Sequence, residues 1–488
     1  MAIQLQTPET LIVPKGAAFD AGKAARVEAF MLRHLRHMKG AWAGQPFALE
    51  PWQRTDIIAP LFGLVQPDGR RFYREAYVGI PRKNGKSEIS AAIALYLLIA
   101  DGEFGAEVFS VAGSRQQASI VFKTAADMVR ASPLLRAACK VYRSVIEIPE
   151  TGSIYRALST DWSGGLLQGL NVHGAIIDEM HVHRTSDVYE AMRTATAARK
   201  QPLIVSITTA GAERHGIGWD LYQRGRGKQD PRFFFYWRGV DEGANLDDPK
   251  VWQKANPASW VTPEFLADQR RSLPAPVFAR MHLNVWVDED ADMQVFPLDK
   301  WDACGEEPVF DPARPCVIAV DAASRRDTTA VALVQTDGDR MFNAKVWTFA
   351  ADEELGFLDY GIVEDFIRNI CSEYAVTRLA FDPFQMTRTQ QLLSAEGLPA
   401  ETFPQNDARM VVASQGLYDL VAEEKLRHGG DENLRMEMLN AGIRETARGW
   451  RLEKRKSNGH IDGIVALAMA CQLAQWELEL GEARVIVI

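Results

Sequence analysis

Pro81-Arg82-Lys83-Asn84-Gly85-Lys86-Ser87 is the stretch on which the fold turns. Glu75 to Ile80 before it is short and apolar enough for a buried strand, and Ser87 to Ala100 after it reads as an apolar helix. A Gly-Lys-Ser turn between strand and helix lets backbone N–H groups and a helix amino end cradle phosphates. Lys86 then reaches the β- and γ-phosphates, and the Ser87 hydroxyl binds Mg²⁺, with Asn84 and Gly85 in the loop that meets the nucleotide. The pattern GxxxxGK[ST] asks for glycine where Ile80 stands; Gly79 sits one residue earlier. Arg82 and Lys83 both lie where they could stabilise γ-phosphate charge, and the planar fork of Arg82 suits that role better.

Such a loop needs a partner carboxylate for its metal. Val172-His173-Gly174-Ala175-Ile176-Ile177-Asp178-Glu179 is a short apolar strand ending in two acids. Asp178 would hold the Mg²⁺ shell and Glu179 would orient and deprotonate the attacking water, since phosphoryl transfer depends mainly on positioning. The next strand ends in Ser206-Ile207-Thr208-Thr209-Ala210-Gly211, where Thr208 could sense the γ-phosphate. Upstream, Phe47-Ala48-Leu49-Glu50-Pro51-Trp52-Gln53 offers Gln53 to read an adenine edge.

From Arg74 to Gly211 short apolar strands alternate with longer helical stretches, which implies a mainly parallel sheet covered by helices. Between about Ala212 and Pro297 the signal weakens, as in Phe233-Phe234-Phe235-Tyr236-Trp237, and a lid or linking subdomain is expected. Glu306 to Pro315, with three prolines, reads as a linker. A second pattern begins at Cys316: three strands, two of them joined around Asp337-Gly338-Asp339, then helix, strand and helix. This order suits an RNase H-like sheet, and it suits other α/β folds as well.

Three aspartates in this half could gather at one sheet edge. Asp321 and Asp382 end strands, and Asp462 begins an apolar helix. Hard oxygen ligands of this kind bind two Mg²⁺ or Mn²⁺ ions for in-line phosphodiester attack. Asp327 reads as a turn residue. Arg451, Lys454, Arg455, Lys456 and His460 precede Asp462 closely and could hold a phosphate backbone.

The bulk numbers leave room for this. A chain of 488 residues spans two or three domains of roughly 100–200 residues. No apolar run is long enough for a membrane span, and Met1 to Pro14 lacks the pattern of a signal peptide. The 5 cysteines, without CxxC spacing, argue against a zinc site or a disulfide framework. A net charge of -9 argues against a protein that coats nucleic acid, although local patches can still contact phosphate. Candidate patches are Arg33 to Lys39, Arg70 to Arg74, Arg224 to Lys228 and Arg451 to Lys456.

Taken together and in order, these motifs resemble the large subunit of tailed-bacteriophage terminases, from about Phe47 to Gln472. Gln117-Ala118, Asp178-Glu179-Met180-His181, Thr208-Thr209-Ala210-Gly211, Ala255-Asn256-Pro257, Leu283-Asn284-Val285-Trp286, Phe381-Asp382-Pro383 and Asp462-Gly463 carry the likeness. The resemblance implies an α/β chain: an additional-strand P-loop ATPase followed by an RNase H-like nuclease. It implies ATP with Mg²⁺ at Arg82, Gly85, Lys86, Ser87, Asp178 and catalytic Glu179. It also implies two Mg²⁺ or Mn²⁺ at Asp321, Asp382 and Asp462. The expected activity is to cut concatemeric viral double-stranded DNA and drive it into a procapsid. The expected partners are the portal protein and a small terminase subunit. Assembly would be as a ring, such as a pentamer, with monomers when free. The expected location is the cytoplasm of an infected or lysogenic bacterial host. The division expected is 1–72 leading in, 73–245 ATPase core, 246–312 linking or lid segment, 313–480 nuclease and 481–488 tail. Two other readings stay open: a helicase-like ATPase with an inactive C-terminal fold, and a docking protein that uses nucleotide only structurally.

Overall fold

Glu75–Gly79 enters the 80–85 loop and the helix Lys86–Ile99 leaves it, so the strand–loop–helix unit expected around the Gly-Lys-Ser turn is formed. The computed structural model describes residues 11–112, 115–159, 169–183, 185–228, 230–241, 243–287, 294–322, 328–337, 340–350, 358–454 and 459–486. The chain divides into two units, residues 1–268 with 278–288, and residues 269–277 with 289–488.

The first unit is built on an eight-stranded sheet in the order Phe233–Trp237, Glu75–Gly79, Leu203–Thr208, Val172–Asp178, Glu107–Ala112, Ser153–Ser159, Val145–Ile148, Lys140–Val141. The first six strands run parallel and the last two fold back antiparallel. One strand, Leu203–Thr208, lies between the loop strand and the strand that ends at Asp178, which is the additional-strand arrangement. Side chains alternate between two cores: Ala76 and Val78 pack into one, Tyr77 into the other. Burial on both faces is why these strands read as unbroken apolar runs.

The aromatic run Phe233–Trp237 is an edge strand, parallel to Glu75–Gly79. Its lack of alternation hid it, because aromatic rings line both of its faces. Tyr77 and Trp237 stack with centroids 6.1 Å apart. A Cβ on Gly79 would stand 1.9 Å from Trp237 Cε3, so this glycine serves strand packing and not the phosphate loop. The stretch where the sequence signal weakens also holds the helices Pro249–Ala255, Pro263–Ser272 and Ala275–Leu283.

Two of the basic patches spend key members on ion pairs with acids of the same unit. Arg71 is 4% exposed; its Nη2 donates to Asp101 Oδ1 at 2.5 Å, and His173 Nε2 lies 2.9 Å from the other oxygen. Arg224 donates to Glu75 at 2.8 Å and also pairs with Asp230. Removing one partner of a buried pair strands the other charge, at a cost of about 3–5 kcal/mol. Arg71→Ala is therefore expected to lower the melting temperature of the first unit sharply in calorimetry. An unchanged melting temperature would show that Asp101 is satisfied without it.

The second unit carries a six-stranded sheet in the order Ala400–Thr402, Ala375–Phe381, Pro315–Ala322, Thr329–Thr336, Phe342–Phe349, Leu426–Arg427. The three central strands are antiparallel neighbours, and Ala375–Phe381 joins Pro315–Ala322 in parallel. This is the RNase H-like arrangement. Ile318 and Val320 face a core shared with Val363, Ile367 and Met386 from the helices Tyr360–Glu373 and Pro383–Ala395. Alternate residues Val317, Ala319 and Asp321 face the other way, toward the C-terminal helix Asp462–Ile486, which packs on these strands. The expected linker is pinned to this sheet: Val309 N donates to Asn343 Oδ1 at 3.1 Å and Asp311 N to Gln335 Oε1 at 2.7 Å. Among the described residues no helix is long and apolar enough to cross a membrane.

Candidate active sites

The phosphate loop takes its shape from left-handed residues and buried amides. Gly85 has φ +79°, which a side chain would strain, and a Cβ there would also stand 3.2 Å from Trp260 Cζ2. Lys83 adopts φ 69°. The Asn84 side chain is fully buried; its Nδ2 donates to Arg82 O at 3.1 Å and Asn256 Oδ1 at 2.9 Å, and its Oδ1 accepts from Ala258 N at 3.2 Å. Asn84 thus braces the loop with its amide and has only its backbone to offer a phosphate. Trp260 Nε1 donates to Lys83 O at 2.6 Å, and Arg82 N donates to Met281 O at 2.8 Å.

Lys86 folds back, its Nζ donating to Ile80 O at 2.9 Å and Pro81 O at 3.2 Å. Burial pulls its pKa down to about 8, against the attraction of Glu179 and Asp178. Asp178, 7% exposed at the end of its strand, accepts from Glu179 N at 3.0 Å. Burial and the Glu179 charge push the Asp178 carboxyl up to about 7. Burial works against the Glu179 charge too, but Lys86, Arg82 and Arg280 outweigh it and hold that carboxyl below its usual range. The first unit therefore holds Glu179 charged beside Asp178, whose proton is bound more tightly than in a free carboxyl, and both face the buried Lys86. Glu179 has φ 48°, backbone strain of the kind that gathers at active sites.

Thr208 is fully buried and already bonded. Its hydroxyl donates to Thr209 O at 2.8 Å and stands 2.8 Å from His181 Nδ1, which in turn lies 3.3 Å from Glu179 Oε2. Burial pushes the His181 pKa down to about 3, so the ring is neutral. His181 thus stands between the Glu179 carboxylate and the strand end at Thr208.

Gln53, 4% exposed, accepts from Glu50 N at 3.1 Å. It lines a cavity of ≈ 200 Å³ together with Phe47, Glu50, Gly85, Glu88 and Trp260. The cavity touches the phosphate loop at Gly85 and is walled by Trp260, whose ring stands edge-on to Trp42 at 4.9 Å.

In the second unit Asp321 and Asp382 stand at the carboxyl ends of parallel neighbours, Pro315–Ala322 and Ala375–Phe381. Asp321 is 8% exposed and accepts from Gln405 Nε2 at 2.6 Å. Burial, then the charge of Asp462, pushes its carboxyl up to about 7, with Asp382 and Glu437 adding to the repulsion. Asp462 accepts from Thr328 Oγ1 at 2.5 Å. All three predicted acids thus share one neighbourhood. Among the described residues, however, no three His, Cys, Asp or Glu side chains stand close enough to hold one ion together. Carboxylates, as hard oxygen donors, suit divalent cations. Asp327 and residues 455–458 of the basic run lie outside the described residues.

Sequence reasoning passed over Arg280 and Glu437. Arg280 is 4% exposed, and its Nη1 donates to Ala210 O at 3.4 Å, just past the strand end at Thr208. Burial and Arg82 pull its pKa down to about 9, against the pull of Glu179. No local pattern marks either residue, because each meets its site through the tertiary fold.

Residues 51–226 match the family model described as terminase large subunit, ATPase domain, and residues 345–477 match that described as terminase large subunit, endonuclease domain. A terminase large subunit of Enterobacteria phage HK97 is 28% identical, over 93% of this chain and 96% of its own length. The protein YmfN of Escherichia coli strain K12 is 28% identical, over 62% of this chain and 77% of its own. The large terminase of a thermophilic bacteriophage superposes with a TM-score of 0.53 at 14% identity, covering 87% of this chain and 97% of that one. At that identity the last likeness speaks for the fold alone.

Proposed function

Because this chain belongs to the terminase large-subunit family and carries both its ATPase and its endonuclease domain, we propose that its two acidic centres divide the work of packaging viral DNA. The observation that carries this reading is that each unit gathers its charged residues at the carboxyl ends of its central strands, where open α/β sheets bind ligands.

In the first unit the base of ATP enters the cavity beside Gln53 and the phosphates meet the loop at Gly85. Lys86 leaves the carbonyls of Ile80 and Pro81 for the β- and γ-phosphates. Ser87 and Asp178 would hold a Mg²⁺ ion, which when bound would offset phosphate charge. Glu179, kept ionised by its cationic neighbours, orients a water and takes its proton. Arg82, which feels the charge of nearby Arg280, would meet the charge that develops on the γ-phosphate. Loss of that phosphate reaches the Thr208 strand end through His181.

In the second unit Asp321, Asp382 and Asp462 would hold two Mg²⁺ or Mn²⁺ ions, which activate water and stabilise the leaving oxygen when bound. The substrate is concatemeric double-stranded DNA, with the portal protein, a small terminase subunit and the procapsid as partners. The working form is a ring, such as a pentamer, in the cytoplasm of an infected or lysogenic bacterial host.

The test is to give the full-length protein supercoiled plasmid and ATP, with Mg²⁺ or Mn²⁺ and then with chelator. Phosphate release and plasmid cutting are both expected with metal and both lost with chelator. ATP turnover without metal-dependent cutting would return the second unit to the helicase-like reading with an inactive nuclease fold. No turnover at all would overturn the motor.

A further inference from the structure

The helix Asp462–Ile486 begins at one of the proposed metal-binding acids, and its first N–H groups need acceptors from outside the helix. That acceptor comes from another helix, Glu432–Asn440. Glu437, 6% exposed, takes Gly463 N at 2.6 Å and Ile464 N at 3.3 Å on a single carboxylate oxygen, Oε2.

The Gly463 N–H belongs to the peptide group that starts at the Asp462 carbonyl. A short bond there fixes the plane of that peptide, and with it the direction in which the Asp462 side chain leaves the backbone. On its other side, Thr328 Oγ1 holds the Asp462 carboxylate at 2.5 Å. The glycine after Asp462 has the same explanation. A Cβ on Gly463 would stand 2.8 Å from Glu437 Oε2 and 3.1 Å from Oε1, with the carboxylate wedged against the helix start. Glu437 also adds negative charge to a neighbourhood that already holds Asp321 and Asp462. An acid kept there against that repulsion gains from the positive end of the helix.

We propose that Glu437 is a positioning residue of the nuclease centre: through Gly463 N and Ile464 N it sets the amino end of the last helix so that Asp462 faces Asp321. This rests on the reading of Asp321, Asp382 and Asp462 as that centre. Residues that orient metal-binding groups change activity or affinity by about 10–100-fold when lost.

The experiment compares full-length wild type with Glu437→Ala, Glu437→Gln, Gly463→Ala and Asp321→Ala, following plasmid cutting across a Mn²⁺ series, ATP turnover and melting temperature. Glu437→Ala is expected to cut about tenfold or more slowly and to need more Mn²⁺ for half-maximal rate, with ATP turnover unchanged. Glu437→Gln keeps an acceptor oxygen for Gly463 N and recovers most of the rate. Gly463→Ala leaves Glu437 in place but displaces its carboxylate, and reproduces the loss. Wild-type cutting by Glu437→Ala overturns the proposal, and so does a Gln variant as impaired as the Ala variant. A loss that vanishes on cooling, with unchanged Mn²⁺ demand, reduces Glu437 to general stability and also overturns it. If Asp321→Ala cuts like wild type, it is the nuclease reading that fails.

Discussion

A Lys86→Ala variant is expected to lose ATP turnover by about 10²–10³-fold or more, the scale on which removal of a preorganised charge at a reacting centre is felt. Two effects act in the same direction. The variant lacks the ammonium that meets the β- and γ-phosphates. It also lacks the cation that does most among the neighbours to hold the Glu179 carboxyl below its usual range. Glu179 then rises toward its proton-bound form and makes a poorer base. Plasmid cutting in the same preparation, with Mn²⁺ and no nucleotide, is expected to continue and serves as the control for folding. Turnover at the wild-type rate would show that residues 81–87 are not the nucleotide loop.

An Asp321→Ala variant is expected to show the reverse, with ATP turnover kept and cutting lost by about 10³-fold, the several kcal/mol that metal-assisted hydrolysis supplies. Asp321 is the most buried of the three acids, and its Oδ1 is held by Gln405 Nε2 at 2.6 Å. A melting experiment separates metal binding from catalysis. An ion that binds only the folded state stabilises it by about 2.7 kcal/mol at 100 times its dissociation constant. Mn²⁺ should therefore raise the melting temperature of wild type and not that of Asp321→Ala. An equal rise in both would place the ion elsewhere. Equal cutting by both would remove Asp321 from the chemistry.

The two variants make a cross, each centre silenced while the other reports that the chain is folded. Neither result alone separates a packaging enzyme from a simpler ATPase or nuclease. The pair does, because only a protein with two independent centres gives opposite losses.

Much of this is legible in the sequence alone. The loop at Gly85-Lys86-Ser87, the acids Asp178 and Glu179 and the order of strands and helices around them are local facts. A strand that must enter a buried parallel sheet is apolar along its length, and a phosphate loop must carry glycine where the backbone turns left-handed, as Gly85 does at φ +79°. Asp321, Asp382 and Asp462 could be picked out because each stands at an element's end. Their convergence could only be hoped for, since the neighbouring strands and the last helix meet through long-range pairing.

What only the tertiary structure decided was the use to which ambiguous residues are put. Asn84 looks like a nucleotide contact in sequence, yet its amide is spent on Asn256 and Ala258. Arg71 and Arg224 sit in basic runs that suggest a DNA-facing surface, and both are paired with acids of their own unit. The aromatic run Phe233–Trp237 turns out to be an edge strand, and Arg280 and Glu437 reach their centres from helices with no motif of their own. The division follows from physics. Backbone conformation and strand burial are dictated by neighbours a few residues away and so leave periodic traces in the sequence. The partner of a buried charge or amide is chosen by where the chain returns, and no local pattern records that.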